Sequence, residues 1–237
     1  MFDYRKKTDF HRGKIVRIDN ALDTESPIFF GYDIEEQFVD VLEQSTRNIP
    51  IDRLFLLTDR TIFDLFGESF LSRLSKQFPD TIPYFLAEGE QCKTFEVLQK
   101  LCNHLVEKGV SKQSLLIAFG GGSIGNISGL AAGLIFRGIR FVEVPTTLSH
   151  QTDGMLSNKQ AVNGRFGKNH FGLYHTPVFS WTDTRYPETE PLRFKKSGIV
   201  EGIKNGLIDQ VEFIPYLEKA IKKDGEYSPQ QLADLCF

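Results

Sequence analysis

Short apolar runs alternate with amphipathic stretches along most of this chain. Runs of the strand kind fall at 14–18, 53–58, 82–86, 115–119 and 140–144. Between them, apolar residues recur at helical spacing over 34–44, 61–77, 94–108 and 123–133. This βαβα alternation predicts an α/β fold, a mostly parallel sheet with helices on both faces. Open sheets of that kind bind ligands beyond the carboxyl ends of their strands, so the segments after each strand are the ones to search. The stretch 159–172, KQAVNGRFGKNHFG, is too rich in Asn, Gln and Gly for a helix. It reads as a loop carrying Lys159 and Lys168.

From Pro187 the pattern becomes helical only: 192–207, a second helix near 212–222, and a third opened by Ser228-Pro229. Serine at the N-cap followed by proline at N1 is a sound helix start. That third helix ends on Leu235, Cys236 and Phe237 with an apolar face and nothing left to pack it on. The expectation is a first domain over 1–186 and an incomplete helical domain over 187–237. The other reading is a C-terminal helix docked on the first domain.

Composition narrows the function classes. The 237 residues carry a formal net charge of −3, which argues against a global electrostatic grip on nucleic acid or an anionic membrane. No apolar run approaches membrane-spanning length, and the basic N-terminus is not followed by the apolar stretch of a secretory signal. Three cysteines without a CxxC pair fit reduced thiols in a cytoplasmic protein. The 21 phenylalanines read as packing residues.

Three stretches carry candidate chemistry. Leu115–Phe119 runs into Gly120-Gly121-Gly122-Ser123-Ile124-Gly125-Asn126, in which Gly120, Gly122 and Gly125 satisfy G-x-G-x-x-G between a predicted strand and a predicted helix. Missing side chains and a helix N-terminus suit a pyrophosphate, and a plain tight turn is the other reading. Val144-Pro-Thr146-Thr147-Leu148 ends the next strand with two hydroxyls, either turn chemistry or a cofactor contact. The helix over 197–208 has glycines at 198, 202 and 206, a stripe that suits close approach to another element or a ligand. Ile199, Val200, Ile203 and Leu207 read as its core face, and Ser197, Glu201, Lys204 and Asn205 as a polar face lining a cleft. A solvated Glu201–Lys204 pair at i,i+3 is the plainer alternative.

In this order, these pieces resemble the dehydroquinate synthase superfamily, the sugar phosphate cyclases. The resemblance rests on Glu88-Gly-Glu-Gln-Cys-Lys93, the glycine turn, Phe136-Arg-Gly-Ile139, Val144-Pro-Thr-Thr-Leu148, Asp153 with Lys159, Gly167-Lys-Asn169 and Gly198-Ile-Val-Glu-Gly-Ile-Lys204. It implies a Rossmann-like NAD-binding domain followed by a helical metal-binding domain, with the active site between them. By this resemblance Asp59, Glu88, Glu90, Lys93, Gly121, Gly122, Ser123, Gly125, Asn126, Thr146, Thr147, Lys159 and Lys168 contact NAD. Asp153, Lys159 and Lys204 take catalytic roles, while Arg137, Lys168 and Asn169 bind substrate. Arg137 reaches the substrate of a neighbouring subunit, which implies a homodimer. Glu201 is the first ligand of a divalent metal, Zn or Co. Lys159 and Lys168 then hold the phosphate and oxygens of one phosphorylated sugar under a closing loop, whereas read alone they are surface charges.

Asn126 stands where dehydroquinate synthases carry Asp, and 156–163, LSNKQAVN, is closer to 2-deoxy-scyllo-inosose synthases, which cyclise glucose 6-phosphate in aminocyclitol biosynthesis. Gln160 and Ala161 are expected to change the floor of the substrate site. The family's metal site needs two histidines after the glutamate, and this sequence has none beyond His175. The expectation is a cyclase whose 237-residue portion is inactive alone. Competing readings are 3-dehydroquinate synthase or another heptulose phosphate cyclase, a metal-dependent alcohol or glycerol dehydrogenase, and a non-catalytic NAD-binding module.

Overall fold

The computed structural model describes residues 12–18, 26–209 and 215. Seven strands form the main sheet: β1 Val16–Ile18, β2 Ile28–Gly31, β3 Leu54–Asp59, β4 Ile82–Leu86, β5 Leu115–Gly120, β6 Arg140–Pro145 and β9 Ser180–Asp183. Their order is β1-β2-β9-β6-β5-β3-β4. All pair in parallel except β1, which lies antiparallel on β2 at the edge. β3 and β5 are buried at every position, as strands covered on both faces must be.

The helices are α1 Phe38–Thr46, α2 Arg60–Ile62, α3 Glu68–Gln77, α4 Phe95–Glu107, α5 Gly122–Leu134, α6 Leu148–Thr152 and α7 Leu192–Asp209. A π-turn over Phe63–Gly67 joins α2 to α3. α4 and α5 cover one face of the sheet, contributing Leu98, Leu101, Leu105, Ile124, Ile127 and Leu130 to one cluster. On the other face α1 and α3 pack Phe38, Leu42, Phe70 and Leu74 against Phe119, Phe179 and Trp181. The rings of Phe70 and Phe119 stack at 4.6 Å, so part of the high phenylalanine content is core packing.

Each of the five anticipated strands is present, as are the helices over 34–44, 61–77, 94–108, 123–133 and 192–207. Three departures matter. The sequence reading missed β2 and β9. The stretch expected as a loop is instead an antiparallel hairpin, β7 Lys159–Gly164 and β8 Gly167–Tyr174, which packs along α5. Along α7 the anticipated core stripe is not one: Ile199 is buried, but Val200 is 62% and Leu207 58% exposed. The helices expected near 212–222 and after Ser228 lie outside the described residues. Among the described residues, no helix is long and apolar enough to cross a membrane.

Candidate functional site

The chain runs from β3 outward to β4, then returns across β3 to place β5 on its other side. Strands β4-β3-β5-β6-β9 thus repeat the 2-1-3-4-5 order of doubly wound sheets, with the direction of winding reversing between β3 and β5. Asp59 closes β3 and Gly120 closes β5, so both flank that switch point.

Gly121 caps α5 with extended backbone and no side-chain hydrogen bond. The N–H groups of Gly122, Ser123 and Ile124 precede the first turn's bond from Gly125 N to Gly121 O at 3.1 Å. They are donors without intrahelical acceptors, at the positive end of a 13-residue helix. Asn126 is turned back on this turn, its Nδ2 donating to Gly122 O at 2.9 Å. Gly125 has a packing reason of its own. A Cβ there would lie 2.5 Å from His150 Cε1 and 2.7 Å from Glu143 Oε1, so this glycine makes room for a buried His–Glu pair.

The two threonines of the Pro-Thr-Thr end divide their roles. Thr147 Oγ1 accepts from His150 N at 3.4 Å and caps α6, which is turn chemistry. Thr146 N donates to Gly120 O at 3.0 Å, tying this segment to the glycine turn, while its hydroxyl is buried without a partner.

On the other side of the switch, Asp59 Oδ1 accepts from Ile62 N at 2.8 Å and caps α2. Burial raises its pKa, opposed by backbone N–H donors, with the neighbouring Glu88 charge adding to the rise. Glu88 accepts from the Thr61 hydroxyl. The hairpin then docks on the segment after β4. Asn163 Nδ2 donates to Glu90 Oε2 at 2.7 Å, Lys168 Nζ lies 3.6 Å from Glu90 Oε1, and Lys93 Nζ donates to Asn169 Oδ1 at 2.6 Å. Asn169 has a left-handed backbone, φ +57°, and its N–H donates to Asn163 Oδ1 at 3.0 Å. Burial lowers the pKa of Lys93 against the pull of Glu90. Burial works to raise Glu90, yet the Asn163 amide and the two ammonium groups outweigh it and the net shift is downward. Beneath them Cys92 is an inert thiol, pushed up to about 12 chiefly by burial.

A second polar group forms where α7 crosses α6. Lys204 Nζ lies 2.5 Å from both Asp153 Oδ1 and Glu201 Oε2. The hydrogen bonds to Asp153 and Glu201 raise its pKa, so it is an ammonium through neutral pH. The close approach is seen at Gly198: a Cβ there would lie 2.5 Å from Leu148 Cγ and 2.6 Å from Ser149 N.

Several anticipated partners are not brought together. Lys159 pairs with Tyr174, six residues along β8 from Lys168, so the two lysines start roughly 20 Å apart. Both stand on a paired hairpin rather than on a loop. Lys159 is exposed and, among the described residues, has no ion-pair partner. Gln160 is buried against Gly129 of α5, and Ala161 against Gly172, so neither forms the floor of a cleft. Arg137 follows the far end of α5, on the order of 20 Å from Gly122, and cannot serve the same chain's glycine turn. His170 lies on β8 rather than in a loop, and His175 stacks on Phe141 and bonds to Ile139 O, a local role. Among the described residues no three His, Cys, Asp or Glu side chains are grouped to hold a metal. Glu201 with a lysine on its carboxylate does not amount to a divalent site, which takes about three protein ligands. The buried Glu143–His150 pair went unread because its members are joined only by the fold.

Fold and edge together define a doubly wound α/β domain of the dinucleotide-binding kind. The 3-dehydroquinate synthase N-terminal family model matches residues 83–197. A 2-deoxy-scyllo-inosose synthase of Streptomyces kanamyceticus is 36% identical over 86% of this chain and 52% of its own length. A 3-dehydroquinate synthase of Bartonella bacilliformis is 39% identical over 72% of this chain and 45% of its own length. Among solved structures, a 2-deoxy-scyllo-inosose synthase complexed with carbaglucose-6-phosphate, NAD+ and Co2+ superposes with a TM-score of 0.79 at 30% identity, covering 94% of this chain and 60% of that one. The chain belongs to the dehydroquinate synthase superfamily. It spans about half the length of the curated relatives it matches.

Proposed function

We propose that this chain is the NAD-binding portion of a sugar phosphate cyclase. The reaction proposed for the whole protein is phosphate elimination from glucose 6-phosphate with transient oxidation of a ring hydroxyl, followed by intramolecular aldol closure. The observation that carries this reading is the convergence at one sheet edge of the uncapped α5 N-terminus, Asp59 beside Glu88, and the Lys93–Glu90–Lys168–Asn169 cluster. Likeness to 2-deoxy-scyllo-inosose synthases over more of the chain than to 3-dehydroquinate synthases favours the glucose 6-phosphate branch over a heptulose phosphate.

Bound NAD would supply reversible hydride transfer at the ring hydroxyl. In this reading the N–H groups of Gly122, Ser123 and Ile124 take the pyrophosphate, and the acidic pair Asp59 and Glu88 takes ribose hydroxyls. Lys168 and Asn169 close the cofactor side, each held by a partner on the segment after β4. Lys204, fixed between two carboxylates and kept protonated by them, donates to a substrate oxygen rather than abstracting a proton. The whole protein would also use a divalent metal, Zn or Co, toward which the described residues offer Glu201 alone. The 237-residue chain is therefore proposed to bind NAD without turning over a sugar phosphate.

Calorimetric titration with NAD+ tests the first half, with saturable one-to-one binding expected. Inorganic phosphate release by the whole protein from glucose 6-phosphate, sedoheptulose phosphate and heptulosonate phosphate tests the second. Net accumulation of NADH with an alcohol or glycerol, and no phosphate from any sugar, would show a dehydrogenase instead. Phosphate release by the 237-residue chain would overturn the claim that it is inactive alone.

A further inference from the structure

Beneath the glycine turn lies a buried pair that the proposed chemistry does not use. Glu143 on β6 and His150 on α6 are each 2% exposed, in the middle of the fold. His150 Nε2 lies 3.0 Å from Glu143 Oε1, and Nδ1 lies 3.3 Å from Gly120 O. The ring sits in a slot cut by two glycines. A Cβ on Gly125 would fall 2.5 Å from its Cε1, and one on Gly154 2.5 Å from its Cδ2.

Both atoms facing the ring are acceptors. A neutral imidazole has one N–H, so beside an ionised Glu143 one ring lone pair would point at an oxygen lone pair. Both contacts are satisfied only when the pair holds one additional proton, as imidazolium with carboxylate or as imidazole with carboxylic acid. Buried unpaired groups of this kind are costly, which favours the singly protonated state. In that state Gly120 O is held by two donors, Thr146 N at 3.0 Å and His150 Nδ1 at 3.3 Å. Gly120 is the residue before the cap of α5, so this carbonyl belongs to the peptide that leads into the turn.

We propose that His150 and Glu143 are positioning residues that share one proton and thereby set the glycine turn for dinucleotide binding. The inference rests on the dinucleotide reading of that turn. Loss of the proton leaves an anionic carboxylate facing a ring lone pair, and a ring that turns its N–H toward Glu143 releases Gly120 O. Loss of the donor to Gly120 O therefore weakens NAD binding. Other ionisable groups on the elements packed around the pair are held elsewhere. Asp153 after α6 is paired with Lys204 of α7, as is Glu201. Asp183 on β9 accepts from three backbone N–H groups, and Glu190 before α7 accepts from Leu148 N.

The test is the NAD+ dissociation constant of the 237-residue chain, measured beside Glu143→Gln and His150→Phe. An amide at 143 can donate to Nε2 while neutral His150 donates to Gly120 O, satisfying the geometry without the extra proton. Glu143→Gln is expected to bind as the parent does, and His150→Phe about tenfold more weakly, the size of one lost hydrogen bond. Equal affinity of His150→Phe and the parent would overturn the proposal. A ligand-free readout separates this from failure of the dinucleotide reading: the ring ¹⁵N spectrum, with His150 assigned from His150→Gln. A protonated Nδ1, with the Gly121 amide shifting between the parent and His150→Phe, is expected. An unprotonated Nδ1 overturns the pair itself. A correctly protonated pair in a chain that binds no NAD+ overturns the dinucleotide reading and the positioning role built on it.

Discussion

Single residues at this edge carry more than one duty, and Glu190 shows how that duty registers as pH dependence. Its carboxyl accepts from Leu148 N at 2.9 Å, at the start of α6. Burial raises its pKa to about 7, opposed by that N–H and by Lys195. A carboxyl raised on folding stabilises the protein below its unfolded pKa, and that contribution is lost as pH climbs through the folded value. Glu190→Gln removes the ionisation. Relative to the parent, the variant should gain stability between the ordinary carboxylate value of 4.5 and about pH 7, read from urea midpoints across that window. A constant difference between the two proteins would show that Glu190 does not ionise in that range. At this scale the sequence was a partial guide. The glycine turn could be placed, because G-x-G-x-x-G after an apolar run is a local pattern. The reason for Gly125 was hidden, since His150 and Glu143 meet it only through the packing of α5 against the strand ends. The same holds for Lys168, whose partner Glu90 is 78 positions away in the chain.

Whole elements were readable where they are long and periodic. The strand 82–86 was placed to the residue, and the helices over 94–108 and 123–133 to within one residue at each end. β2 and β9, each four residues long, went unread. The hairpin escaped for another reason. β8 is exposed along nearly its whole length and shows no apolar alternation over 167–170, so its pairing with β7 is what marks it as a strand. In α7 the glycine stripe was the informative signal, and the apolar stripe misled because Val200 and Leu207 face outward in the described residues. Gly198→Ala tests the stripe. Alanine is favoured over glycine in a helix by about 1 kcal/mol. Here its Cβ would meet Ser149 N at 2.6 Å and Leu148 backbone carbon at 2.7 Å, atoms that cannot step aside. The overlap should prevail, for a net loss of about 1–2 kcal/mol in urea unfolding. The displaced helix should also separate Lys204 from Asp153, lowering the ammonium's pKa toward its ordinary value. A stabilised variant would mean that α7 does not lie as close to α6 as drawn.

At the scale of the molecule, the position of Arg137 decides whether one chain can make a complete site. Phe136, Arg137 and Gly138 have φ of +52°, +69° and +127°, three successive left-handed residues at the foot of α5. Non-glycine residues held there are strained by about 1–3 kcal/mol each, and such strain is found where geometry serves a function. The guanidinium stands exposed at the opposite end of α5 from the glycine turn, so no side-chain rotation brings it to its own chain's Gly122. If Arg137 acts on the substrate of a neighbour, the active unit is a symmetric pair. Mixing separates this from a remote structural effect. In the whole protein, Arg137→Ala and Lys204→Ala should each abolish most phosphate release when made alone. A mixed dimer contains one site bearing both defects and one bearing neither. Random mixing of the two subunits should therefore restore about a quarter of the sites. Arg137 acting within its own chain leaves no intact site in any mixture, and activity stays at the level of the parent variants. Recovery of turnover on mixing thus turns on geometry alone, because both variant chains carry their lesions throughout.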